Sequence, residues 1–169
     1  MIPHFIDELI SKYAKRGILI DTNVLLLFFM GQVDINRITT FKRTEQFTVE
    51  DFGLIEKLLS LFKTKVTTPN ILTEVSNLAG QLSGPLKSLF LERLGQQINV
   101  LSEKYCPSKT ACGHPYFNKC GLTDATILSI AQNKFLVLTD DFRLAGLISS
   151  LGIDVINFNH IRQSYLWED

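Results

Sequence analysis

The sequence is short of cysteine, has no excess of either charge, and contains no apolar run long enough to cross a bilayer. Each shortage excludes something. Three cysteines in 169 residues are an odd count and lay down no disulfide framework. Seventeen basic and 17 acidic residues cancel to a formal charge of zero. No global field therefore draws nucleic acid, and any such binding rests on local features. The most apolar run, GILIDTNVLLLFFMG at 17–31, is broken by Asp21, Thr22 and Asn23. It falls short of the ~20 apolar residues that a spanning helix needs. The N-terminus, MIPHFIDELISKYAKRG, spaces Ile2, Phe5, Ile6, Leu9, Ile10 and Tyr13 as one helical face. That describes an amphipathic helix without the layout of a cleaved leader. The expectation is a cytoplasmic protein with no membrane partner. No internal repeat, low-complexity tract or linker divides the chain.

What is present is alternation. At 46% hydrophobic and 20% charged, residues 1–169 read as a single globular domain with a sizeable core. Candidate strands are 17–21 (GILID), 65–68 (KVTT), 98–101 (INVL), 135–139 (FLVLT) and 153–157 (IDVIN), with amphipathic helices between them. Strand–helix alternation argues for an α/β fold whose parallel sheet is covered on both faces. Two helix starts are explicit. Thr48 caps a helix with Asp51 at its third position, and Phe47 and Phe52 are placed as a hydrophobic staple. Thr68 caps another, with Pro69 at its first position. NVLLLFFM is apolar all round, which implies burial on several sides or a face for a partner or a homodimer.

Carboxylates fall at the element boundaries. Asp21 follows Ile18-Leu19-Ile20, and Asp140 and Asp141 follow Leu136-Val137-Leu138-Thr139. Glu74 borders a stripe of Ile71, Val75, Leu78 and Leu82. Asp124 shares a helical face with Ile127, Leu128 and Ala131. Each has an ordinary reading: a first-turn acid behind a Thr123 cap for Asp124, a helix cap for Asp140 or Asp141, a turn bond for Asp21, and a solvated side chain for Glu74. Jointly the ordinary readings fare worse, because two acids end apolar strands and two lie on or beside apolar helix faces, and open parallel sheets bind ligands beyond the carboxyl ends of their strands. Gathered carboxylates raise one another's pKa unless a cation neutralises them, and oxygen-only donors suit Mg²⁺ or Mn²⁺.

With these residues in view, the chain resembles the PIN-domain nucleases. LIDTNVLL looks like the family's first-strand motif, TPNILTEV its second acidic element, GLTDATIL its third and VLTDDFRL its fourth. The four occur in order across nearly the whole chain. The resemblance implies a three-layer α/β/α sandwich with a five-stranded parallel sheet in the order 3-2-1-4-5. It also implies Mg²⁺- or Mn²⁺-dependent hydrolysis of phosphodiesters, most often in RNA, leaving 5′-phosphate and 3′-hydroxyl ends. Asp21, Glu74, Asp124 and Asp140 carry over as the catalytic, metal-binding acids, with Asp141 an adjacent acid counted as a further metal ligand. Thr22, Asn23 and Thr139 carry over as supporting polar residues. Many members are toxins, so an antitoxin protein is a further implied partner. Relative to compact members the chain is longer at 31–50 and 102–120.

Within 31–47, Arg37, Lys42 and Arg43 stand beside Phe41 and Phe47. They are candidate substrate-binding cations, against the plainer reading of a connecting loop with solvated charge. Cys106, Cys112, His114 and Cys120 make up a Cys₃His set in a spacing that fits no familiar zinc finger. The plainer reading is a loop of reduced thiols with a turn at His114-Pro115. His4 and His160 read as surface residues. A dehalogenase-like phosphatase requires a second Asp where this chain has Asn23. A phospho-receiver requires a Lys after the fifth strand, where this chain has NFNH. A non-catalytic RNA-binding or interaction module stands as the alternative.

Overall fold

The computed structural model describes residues 4–166. In chain order the elements are α1 (His4–Tyr13), β1 (Ile18–Ile20), α2 (Thr22–Val33), α3 (Val49–Ser60), β2 (Lys65–Thr67), α4 (Pro69–Ala79), α5 (Gly84–Ile98), β3 (Ser102–Glu103), α6 (Ser108–Cys112), α7 (Phe117–Ala131), β4 (Leu136–Thr139), α8 (Phe142–Ser150), β5 (Val155–Asn157) and α9 (Phe158–Leu166). The five strands form one parallel sheet in the order β3-β2-β1-β4-β5. The fold is the flanked five-stranded α/β sheet expected from the sequence.

Topology divides the helices between the faces. The chain steps one way from β1 to β2 to β3, then jumps back past β1 to β4 and β5. Right-handed crossovers put the helices of the two directions on opposite faces. Accordingly α2 packs against α3, α4 and α5, whereas α7 packs against α6 and α8. The reversal occurs between β1 and β4, which makes the carboxyl ends of those two strands the natural crevice.

The run in α2 resolves the question posed by its composition. Val24, Leu25, Leu26, Leu27, Phe28, Phe29 and Met30 are all buried. The chain's own helices cover them, so this run supplies no dimer face. Each such side chain contributes roughly 1.5–3 kcal/mol by leaving water. Close approach to α3 explains Gly31, where a Cβ would overlap the Phe52 ring.

Both written helix starts form. Thr48 accepts from Asp51 N at 3.2 Å while Asp51 Oδ2 accepts from Thr48 N at 2.8 Å. Thr68 Oγ1 accepts from Ile71 N at 3.2 Å, with Pro69 opening α4. The N-terminal helix buries Ile6 and Tyr13 but leaves Phe5 exposed, and Ile2 lies outside the described residues.

The third strand is a correction. Residues 98–101 are not a strand: α5 continues through Ile98, and β3 begins at Ser102. Phe90 and Leu94, four apart and buried, carry the helical period into INVL. Val100 N and Leu101 N both donate to Gln97 O, so the segment is a helix-ending turn, and Val100 is 73% exposed. The stretch at 106–120 is likewise more helical than a loop, since it contains α6 and opens α7.

Candidate active site

Asp21 is the residue that stops β1 and starts α2. Its backbone N–H still bonds across the sheet to Leu138 O at 2.9 Å. Its Oδ1 accepts from Thr22 N at 2.7 Å and its Oδ2 from the Thr139 hydroxyl at 2.6 Å. The carboxyl is buried. Burial pushes its pKa up to about 6; the bonds from Thr139 and Thr22 oppose the rise, and the neighbouring Asp140 and Glu74 add to it. Thr139 also accepts from Asp141 N at 3.1 Å, so one hydroxyl joins Asp21 to the turn after β4.

Asp140 stands in that turn, half-buried. Asn23 Nδ2 reaches its Oδ2 at 3.5 Å, the outer limit of a hydrogen bond. Its Oδ1 is buried and has no hydrogen-bond partner among the described residues. Burial raises its pKa, Asp141 adds to the rise, and Asn23 and Arg162 oppose it. Behind it, Asn159 Nδ2 donates to Asp140 O at 2.6 Å and to Asn157 Oδ1 at 3.1 Å. Arg162 then donates to Asn159 Oδ1 at 3.2 Å.

Asp124 arrives from the other face. α7 is interrupted at Gly121, whose backbone (φ 78°, ψ −175°) is closed to other residues. After that break the helix buries Ile127, Leu128 and Ala131 and leaves Asp124 half-buried at its start. Burial first, then the charges of Asp21, Asp141 and Glu74, push its pKa up to about 7. Glu74, exposed on α4, is held by two hydroxyls: Thr22 Oγ1 donates to Oε2 at 2.9 Å and Thr123 Oγ1 to Oε1 at 2.5 Å. Thr123 is therefore a strut between α4 and α7 rather than a helix cap.

The four sequence-selected acids thus lie at one sheet edge, near enough for Asp21 to feel Asp140 and Glu74, and Asp124 to feel Asp21 and Glu74. They form a loose cluster. Among the described residues, no three His, Cys, Asp or Glu side chains are gathered closely enough to make a ready metal-binding group. The donor chemistry nevertheless fits a hard divalent cation. All donors are oxygens, the carboxylates repel one another, and Asp140 Oδ1 is a buried acceptor with nothing to accept from.

Of the remaining candidates, Asp141 adjoins the acids and the others fall elsewhere. Asp141 caps α8, its Oδ1 accepting from Arg143 N at 2.7 Å and Leu144 N at 3.0 Å. Arg37 pairs with Asp34 at 3.7 Å and Arg43 donates to Gln81 at 2.9 Å. Gln81 lies seven residues beyond Glu74, past the far end of α4. Lys42 is exposed. Cysteines 106, 112 and 120 are free thiols, and no Cys₃His metal group is assembled from them. Cys112 Sγ instead donates to Lys109 O at 3.2 Å, and His114 Nδ1 accepts from Tyr116 N at 3.3 Å. His4 and His160 are exposed, as expected.

Sequence reasoning gave Thr123 only the role of a cap, and gave Asn157, Asn159 and Arg162 no role at the site. The rule that singles out Asp21 and Asp140 also applies to the end of β5, where NFNH carries two asparagines in place of a lysine. The chain matches no protein-family model, and a search of curated proteins likewise finds no match.

The raised pKa values carry a stability consequence. An unfolded Asp ionises near 3.8, whereas Asp21 and Asp124 ionise near 6 and 7 in the fold. Their neutral forms favour folding below about pH 4, and that contribution is lost as pH rises through 6 and 7. Asp124 accepts no hydrogen bond from a described residue, so Asp124→Asn removes the charge without stranding a donor. In chelator, the variant is expected to melt above the parent at pH 8 and level with it at pH 4. An equal gain at both pH values, measured by calorimetry, would rule out charge as the cause.

Proposed function

We propose that the chain is a PIN-like, metal-dependent nuclease that hydrolyses phosphodiester bonds in RNA. The observation that carries this reading is the meeting of Asp21 and Asp140 at the β1/β4 reversal. One is fixed on both oxygens, and the other presents a buried, unpartnered oxygen. A Mg²⁺ or Mn²⁺ ion held by Asp21, Asp124 and Asp140, with Glu74 beside them, would supply a water of lowered pKa and neutralise charge on the phosphate.

The chain's own residues do the positioning. The Thr139 hydroxyl and Thr22 N–H fix the plane of the Asp21 carboxylate and favour its ionised form. Asn159 fixes the Asp140 backbone, and Asn23 steadies its side chain. Thr22 and Thr123 hold Glu74 at the rim between α4 and α7. Orienters of this kind keep ligands in one geometry without touching the reacting phosphate.

One observation favours a second reading, a non-catalytic RNA-binding or interaction module: the acids are not drawn into a compact ligand set. An assay decides between them. Single-stranded RNA, structured RNA and single-stranded DNA are incubated with purified protein in Mg²⁺, Mn²⁺ or chelator. Metal-dependent cleavage leaving 5′-phosphate ends is the expected result. Binding without cleavage in either metal would leave the module reading in place.

A further inference from the structure

Beside the acids, between α7 and α8, lies a cleft of about 510 Å³ lined by Tyr116, Lys119, Asp124, Asp141, Arg143 and Leu147. Its volume falls within the roughly 300–1,000 Å³ of small-ligand sites. It shares Asp124 and Asp141 with the candidate active site and adds two cations and an aromatic ring. Lys119 and Arg143 are exposed, and neither pairs with a carboxylate among the described residues. Tyr116 is half-buried, packed on the core, with the Lys119 ammonium 5.6 Å from its ring centre. Tyr116 and Lys119 belong to α7 or its approach, ahead of the Gly121 break.

We propose that this cleft binds one nucleotide of a single-stranded nucleic acid flanking the phosphate at the acids. It deepens the nuclease reading, on which it rests for the position of that phosphate. Lys119 and Arg143, approaching from different helices, take the phosphates. Tyr116, with Leu147 also in the lining, takes the base. The combination of a π-face with neighbouring cations suits a single strand, because a duplex keeps its base faces stacked on one another. On a chain with no net charge, these two cations stand where a polyanion must approach carboxylates. The cleft, rather than the Arg37, Lys42 and Arg43 segment, is then the main electrostatic contact.

The test uses the full chain carrying Asp21→Asn, so that binding is read without cleavage. A fluorescent single-stranded oligoribonucleotide is titrated in chelator and in Mn²⁺ across a salt series, beside its duplex and an abasic oligomer of equal length. Tyr116→Ala is expected to weaken the single strand about tenfold, and to leave the abasic oligomer unchanged. Lys119→Ala with Arg143→Ala is expected to weaken both and to lower the salt slope by about 1.4, or ~0.7 for each phosphate left without its cation. The triple Arg37, Lys42 and Arg43 change to Ala is expected to have a smaller effect than this pair. Parent-like affinity and slope in the Tyr116 and Lys119/Arg143 variants would overturn the proposal, as would no single-strand binding by the parent or equal losses on duplex. Cleft-dependent binding by a protein that never cleaves RNA would overturn the nuclease reading and leave the cleft in place.

Discussion

Asp21→Asn and Asp140→Asn should each lower metal-dependent RNA cleavage by more than about a hundredfold while the fold persists. Loss of an orienting partner in a metal site already costs about 10–100-fold, and loss of a candidate ligand should exceed that. The two changes are informative for different reasons. At Asp21 both oxygens accept, from an N–H and from a hydroxyl, so an amide can keep its oxygen on Thr22 N only by turning its N–H onto Thr139 Oγ1, which must then accept instead of donate. At Asp140 the unpartnered Oδ1 is the atom in question, and an amide oxygen can still occupy that place without its charge. The measurement is initial rate on single-stranded RNA at saturating Mn²⁺, with circular dichroism to verify folding. Wild-type rates in the Asp140 variant would remove that carboxylate from the chemistry.

Arg162→Ala should destabilise the protein by about 3 kcal/mol. The guanidinium forks onto Asp51, Nε to Oδ1 at 2.8 Å and Nη2 to Oδ2 at 2.8 Å, and donates to Gln46 O at 2.8 Å. It also lies 5.3 Å from the Phe47 ring centre. Asp51 is only 7% exposed, so truncating Arg162 leaves a nearly buried carboxylate without its cation. Breaking such a pair costs about 3–5 kcal/mol, and the low end applies because Arg162 is partly solvated. For a chain of this size the loss corresponds to a fall in Tm of about 6–12 °C. Arg162→Lys should recover only part of it, since an ammonium cannot reproduce the two-pronged geometry. Calorimetry of both variants checks this, and an unchanged Tm in Arg162→Ala would show that the Asp51 capping box holds the carboxylate alone.

What could be read in the sequence was local. Thr48 with Asp51 and Thr68 with Pro69 write their helix starts within a few residues, and both form. The ends of β1 and β4 were legible because a short apolar run stops at a carboxylate in each case. The edge strand was not, because β3 is two residues long and its apolar neighbours belong to the turn that ends α5. The Arg162–Asp51 tie joins positions 111 apart, and nothing in either neighbourhood marks the other. Asp140 and Asp141 are indistinguishable as helix caps until the backbone shows Asp141 taking the N–H groups of α8. The Thr123 hydroxyl had a sound local use as a cap, and a contact with Glu74 from another helix took it instead.

The strand order also sets a timetable. β1 lies at the centre of the sheet and pairs with β4, and Asp21 meets Thr139 across 118 residues of chain. During vectorial synthesis β1 and α2 emerge well before β4, which supplies half of the surroundings of β1. The apolar α2 must wait for α4 and α5 before it is covered, a late closure that slows folding and exposes the nascent chain to association. The acidic cluster is completed later still, when β4 slots beside β1. A stalled or truncated product ending before residue 136 therefore contains Asp21, Glu74 and Asp124 but has no second strand end to face them. The facing of Asp21 and Asp140 is therefore assembled only once β4 has been made.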